Sequence, residues 1–319
     1  MREERKIVKS GNSSFIVALP INWVHKNKLG KGSTVLIGEN EAGDIVISKT
    51  DKRDSGDASK EISTEGKSEE KLTFDIFNAY LQSYQDIHIQ GKDISLQSSK
   101  IKNILRSCIG LEIIEQDKKS MIVKNFTTND QGLSPRILIR KITLGIGEMF
   151  TLLSKFIKEG FSQEDINELH ELVEQNSRLY WITRKIILRA IEDPVYLRIF
   201  QTTYHQITKD KIITTSLNQM IFSLNSLGNL MLFLEHTKED SAKLKEILDS
   251  VRKDYESLLT NLRYKNQSTL GDIYERCVKN ISQIKLLSRE TKNYFIIESS
   301  IHLSILAELI KQITLEIAE

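Results

Sequence analysis

The residues best placed to do chemistry stand near the start of the chain, and the chemistry they suit is phosphate binding. Between positions 1 and 31, Arg2, Arg5, Lys6, Lys9, Lys26, Lys28 and Lys31 face only Glu3 and Glu4, a local surplus of five positive charges. The whole chain of 319 residues carries a net charge of only +2, so the surplus belongs to this segment. Doubled in a dimer, such a field neutralises DNA phosphates and binds in a salt-dependent way. A lysine-rich surface that serves solubility alone would look the same by charge. Catalytic patterns do not compete with this reading. The sequence has no GxSxG, P-loop, HExxH or Cys–His arrangement, and its six histidines are scattered. Binding is expected, without catalysis and without a cofactor.

Bulk composition narrows the class further. The length allows two or three domains. The two cysteines, Cys108 and Cys277, lie far apart with no CxxC spacing, which argues against a disulfide scaffold and a zinc ribbon. They read as buried apolar thiols of a reducing compartment. No apolar run is long enough to span a bilayer, and the first residues are charged where a signal peptide would be apolar. A cytoplasmic protein without membrane insertion is the expectation. Only three prolines accompany abundant Ile, Leu, Lys and Glu, which favours long helices in the C-terminal half.

The elements that must position the basic residues read as strand, turn, strand, short helix and hairpin. Pro20 removes a backbone donor and ends the second strand. Asn22 is suited to cap a helix from Trp23 to about Leu29, with Gly30 as its stop. Residues 35–37 and 45–47 then pair around a turn at 38–43. A unit of this size buries too little apolar surface to fold well alone, so it is expected to be half of an intertwined dimer. The turn Ser10-Gly11-Asn12-Ser13, the pair Leu19-Pro20 and the hairpin Leu29-Gly30-Lys31-Gly32 follow one another in order. Together they resemble the swapped-hairpin AbrB/SpoVT family, and the turn resembles MazE-type antitoxins. The resemblance implies a swapped-hairpin β-barrel over residues 1–49 that dimerises and binds DNA. It places Arg5, Lys6, Lys9, Asn12, Ser13, Lys26 and Lys28 at the DNA.

Residues 50–71 read as a flexible linker of serines, glycines and alternating charges, with Ile62 as their only large apolar residue. Residues 72–130 read as a small α+β lobe: a helix over 75–85, a strand over 86–90, a helix over 97–108, and a hairpin of 111–115 with 121–126. His88 stands alone on its strand and reads as a surface or packing residue. Residues 131–319 are expected to be all-helical. Pro135 suits a first turn, and Ser162 to Asp165 suit a cap for a helix running to Asp193-Pro194. Leu217, Met220, Leu224, Leu227, Met231 and Leu234 form a bundle seam rather than a cofactor box. Helices opening at Thr237, Asp272 and Asn293 complete about six, in two sets of three.

Three stretches of this half carry a second resemblance. They are Glu174-Gln175-Asn176-Ser177-Arg178-Leu179-Tyr180-Trp181 with Ile191-Glu192-Asp193-Pro194, then Leu224-Asn225-Ser226-Leu227-Gly228-Asn229-Leu230, and Gly110-Leu111-Glu112-Ile113-Ile114-Glu115. They resemble PhoU, the phosphate-uptake regulator built from two three-helix repeats. The whole chain is similar to archaeal PhoU-like proteins with an AbrB-type N-terminal domain. The resemblance implies a regulator of phosphate homeostasis, with DNA, a second copy of itself and phosphate-transport or signalling proteins as partners. PhoU repeats gather carboxylates around metal, but here Asn225, Asn229 and Ser177 stand where acids are expected. Glu174, Glu298 and His302 are the metal candidates left, and a structural role is favoured for all three because amides balance a multivalent charge poorly.

Overall fold

The computed structural model describes residues 4–11, 14–39, 43, 45–49, 59–92, 94–127, 133–159, 162–232, 238–264 and 267–318. The chain divides into two compact units, Met1–Asp57 and Ala58–Glu319.

The first unit holds two separate antiparallel ladders and one short helix. Strand β1 (Val8–Ser10) pairs with β2 (Ser14–Ile16), and β3 (Val35–Glu39) pairs with β4 (Ile45–Lys49). Among the described residues the ladders do not join into a closed barrel. Helix α1 (Ile21–Lys26) starts two residues earlier than its sequence suggests, because Pro20 takes the cap position and Asn22 falls inside the helix. It also stops earlier. Lys28 adopts a left-handed conformation (φ 53°), and the N–H groups of Lys28 and Leu29 return to the carbonyls of His25 and Val24. That is a Schellman stop with lysine at the position glycine usually takes, so Gly30 is not the terminator. No described side chain of this unit is buried.

The second unit opens inside the segment expected to be a linker. Residues 59–63 form strand β5 (Ser59–Ser63), and α2 (Glu69–Leu81) begins within the same segment, capped by Ser68, whose Oγ accepts from Lys71 N–H at 3.3 Å. Strand β5 pairs in parallel with β6 (Asp86–Gln90), with α2 as the crossover. Helix α3 (Ile94–Arg106) and the hairpin of β7 (Leu111–Gln116) and β8 (Ser120–Asn125) complete a sheet ordered β5-β6-β8-β7. Ile62, Ile87, Ile89, Met121 and Val123 share one apolar cluster with Ile76 of α2 and Ile101 of α3. Each buried isoleucine there is worth about 1.5–3 kcal/mol. The other sheet face is mixed: Glu61 lies opposite His88, and His88 opposite Ile122.

Among the described residues seven helices follow: α4 (Pro135–Glu159), α5 (Gln163–Glu192), α6 (Pro194–Ile199), α7 (Tyr204–Met231), α8 (Lys238–Tyr264), α9 (Gln267–Glu290) and α10 (Tyr294–Ala318). Helices α4, α5 and α7 pack on one another, as do α8, α9 and α10, and the two sets meet broadly along α7 and α10 and more narrowly along α4 and α8. Ser162 and Asp165 form the expected capping box at the start of α5. The short α6 was not legible; Asp193 Oδ1 accepts from Val195 N–H at 2.9 Å and starts a new turn right after α5. In the seam of α7, Leu217, Met220, Leu224, Leu227 and Met231 are all buried, while Leu234 lies outside the described residues. Close approach requires Gly228: a Cβ there would stand 2.2 Å from Leu169 Cδ2.

Candidate nucleic-acid interface

The β1–β2 hairpin turns through Gly11 at φ +71°, and Ser14 Oγ donates to Ser10 O at 2.5 Å across its mouth. Register then sorts the side chains. Lys9 lies directly opposite Phe15 on one face, while Val8 opposes Ile16 and Ser10 opposes Ser14 on the other. Arg5 and Lys6 are exposed on the lead-in to β1. Lys26 sits with His25 in the last turn of α1, where cations favour the negative end of the helix dipole, and Lys28 is the left-handed stop just beyond. The basic candidates thus fall into two groups, one at the hairpin and one at the end of α1. Asn12 and Ser13 lie outside the described residues. Among the described residues α1 packs extensively against neither ladder.

The apolar side chains of the same unit are exposed as well. Phe15, Ile37 and Ile45 are 69%, 63% and 71% exposed, and both faces of the β3–β4 ladder carry aliphatic residues. Two-stranded ladders of this size are marginal in water on their own.

The metal candidates are not brought together. Glu174 is exposed on α5, while Glu298 and His302 stand one turn apart on α10, both half-buried. Burial holds the His302 imidazole below its usual pKa, with Glu298 acting in the opposite direction, and its Nδ1 is buried without a hydrogen-bond partner. Asn225 Oδ1 on α7 is likewise buried without one. Among the described residues no group of three or more His, Cys, Asp or Glu side chains could hold a metal ion. Elemental analysis of protein purified without added metal is expected to show iron, zinc and magnesium well below one per chain; stoichiometric metal would overturn this. Both thiols are buried, and burial pushes Cys108 and Cys277 up to about 12, far from a reactive thiolate.

Two buried polar clusters were not anticipated from sequence. Lys185 of α5 is fully buried and bonds to Asn125 and Thr127 at the end of β8. Asp254 of α8 accepts from Arg276 Nε at 2.6 Å and Asn280 Nδ2 at 2.7 Å on α9. Burial raises the Asp254 pKa, and Arg276 opposes it. The legible signal for Lys185 was its place inside the apolar stripe of Ile182, Ile186 and Ile187.

No protein-family model matches the chain, and neither a curated protein nor a solved structure is significantly similar to it.

Proposed function

We propose that the chain is a dimeric DNA-binding transcriptional regulator whose helical part senses a signal or docks a partner. The observation that carries this reading is the first unit, which joins a basic surplus to apolar strands and has no described side chain buried. A surface decorated only for solubility would have no reason to leave aliphatic strands uncovered beside its lysines. Among the described residues no helix is long and apolar enough to cross a membrane. Phosphate uptake as the regulated process rests on the resemblance of residues 174–194 and 224–230 to PhoU.

Replacing Arg5, Lys6 and Lys9 with Ala is expected to weaken binding to unrelated duplexes about equally. Each lost phosphate contact should flatten the slope of log K against log salt by about 0.9 units. Unchanged affinity and slope in an anisotropy titration would sink the assignment. A second reading is a signalling adaptor that contacts a phosphate transporter or kinase through the bundle, with the first unit serving only to dimerise it. It is favoured by the exposed stripe of Tyr294, Ile301, Ile305 and Leu315 on α10. In that case the triple variant would leave nothing to lose.

A further inference from the structure

Resting on the function proposed above only in that the helical part docks a partner, we infer that α10 receives an amphipathic helix of another protein, one whose apolar residues are flanked by lysine or arginine. Helices α7, α8 and α9 all pack on α10 and cover most of its surface. What they leave is a single line through positions 294, 298, 301, 305, 308, 312 and 315, spaced by alternating four and three residues. Every exposed residue of α10 from Tyr294 to Leu315 stands on that line, and Glu298 is half-buried on it. Alternation of four and three is the period at which one helix follows another, so a partner helix tracks the whole line without losing contact. Four of its positions, Tyr294, Ile301, Ile305 and Leu315, are large and apolar, and they are 38% to 63% exposed. Apolar anchors at such intervals are the mark of helix-on-helix recognition.

The charges on the line decide the occupant. Glu298 precedes Ile301 and Glu308 follows Ile305 by the same interval, so the two acids bracket the central aliphatic pair. A second copy lying antiparallel about that centre would set each Glu298 against the other copy's Glu308. A parallel copy would set each glutamate against its own image. Like charges facing one another across a helix contact are unfavourable, so the line selects against itself. A helix with lysine or arginine at those places gains at both ends instead. The apolar area points the same way: four side chains offer a few hundred Å², against about 800 Å² per partner in a stable interface. That suits one helix rather than a permanent subunit contact. The whole chain carries a net charge of +2 and so has no general attraction for a basic segment; the preference is local to α10. Glu308 shares its charge with Lys311 on the next turn, which leaves Glu298 the larger part of it.

The test titrates the full chain into two labelled amphipathic peptides, alike in leucines at i, i+4, i+7 and i+11, that carry either lysine or glutamate beside those leucines. Wild type is expected to bind the lysine peptide at least about tenfold more tightly than the glutamate peptide. Ile301→Asp with Ile305→Asp should lose that binding while circular dichroism and the mass by light scattering stay unchanged, since both sites are exposed. Glu298→Lys with Glu308→Lys should reverse the preference, and Glu298→Lys alone should supply most of the shift. Equal binding of the two peptides, binding of neither, or an unchanged preference in the double lysine variant overturns the inference. A lower mass in the double aspartate variant also overturns it, because the line would then be covered by a second copy. If the lysine peptide fails while the chain still binds DNA with the salt dependence given above, the docking face is wrong and the DNA reading stands.

Discussion

Lys185→Ala in the full chain is expected to lower the stability of residues 58–319 by about 3–5 kcal/mol. The Lys185 side chain enters the lobe from α5 and is fully buried. Its Nζ donates to Thr127 Oγ1 at 2.5 Å, Asn125 Oδ1 at 3.3 Å and Thr127 O at 3.4 Å, and it stands 4.9 Å from the centroid of the Tyr80 ring. Asn125 is itself fixed, donating from Nδ2 to Tyr84 O at 3.2 Å. One side chain therefore ties the end of β8 to α5, where Ile182 and Ile186 of α5 share the lobe's apolar cluster. Alanine removes these bonds and leaves a void beside the Tyr80 ring. Met is expected to cost about half as much, because volume is kept and Asn125 Oδ1 still accepts from Thr127 N and Oγ1. Denaturant unfolding followed by circular dichroism checks both; an alanine variant within about 0.5 kcal/mol of wild type would show that the apolar contacts alone hold the lobe.

Periodicity and punctuation made the helical half legible. The spacing of Leu217 through Met231, the cap at Ser162 and the proline at position 135 all act within a few residues of themselves, so a reader of the sequence sees them directly. Strand β5 escaped for the opposite reason. Its partner β6 begins more than twenty positions later, its only buried residue is Ile62, and Ser59, Lys60, Glu61 and Ser63 resemble a solvated linker. Parallel pairing across a helix leaves little local trace. Lys185 escaped because its class says surface while its position says core. Nothing in residue type announces that Asn125 and Thr127, about sixty positions earlier, will be waiting for it. In the first unit the order of strands and helix was readable, but the ends of α1 were misplaced: Pro20 displaced Asn22 from the cap, and Lys28 took the left-handed position reserved for Gly30. The closed barrel expected there is not formed among the described residues, whose four strands pair as two separate ladders.

The largest effect in the bundle is expected at Tyr255, where the two three-helix sets meet along their narrower join. Its ring is fully buried on α8, 5.1 Å from that of Phe150 on α4, and its hydroxyl donates to Thr143 O of α4 at 2.6 Å. Each contact crosses from one set to the other. Tyr255→Ala removes the ring and the bond together, and large-to-small changes of this kind cost about 3–5 kcal/mol. For a unit of this size that corresponds to a fall in Tm on the order of 10 °C. Tyr255→Phe keeps the ring and isolates the hydroxyl, at about 1 kcal/mol. It should also change the response to alkali. Burial holds the phenol well above its usual pKa, so the folded state keeps a proton that the unfolded state releases above about pH 10. The unfolded state then binds fewer protons, and stability falls as pH rises. The phenylalanine variant lacks that contribution, so the gap between it and wild type should narrow or reverse between about pH 9 and pH 11. A gap that stays constant across that range, or an alanine variant that melts with wild type, would mean that α7 and α10 alone hold the two sets together.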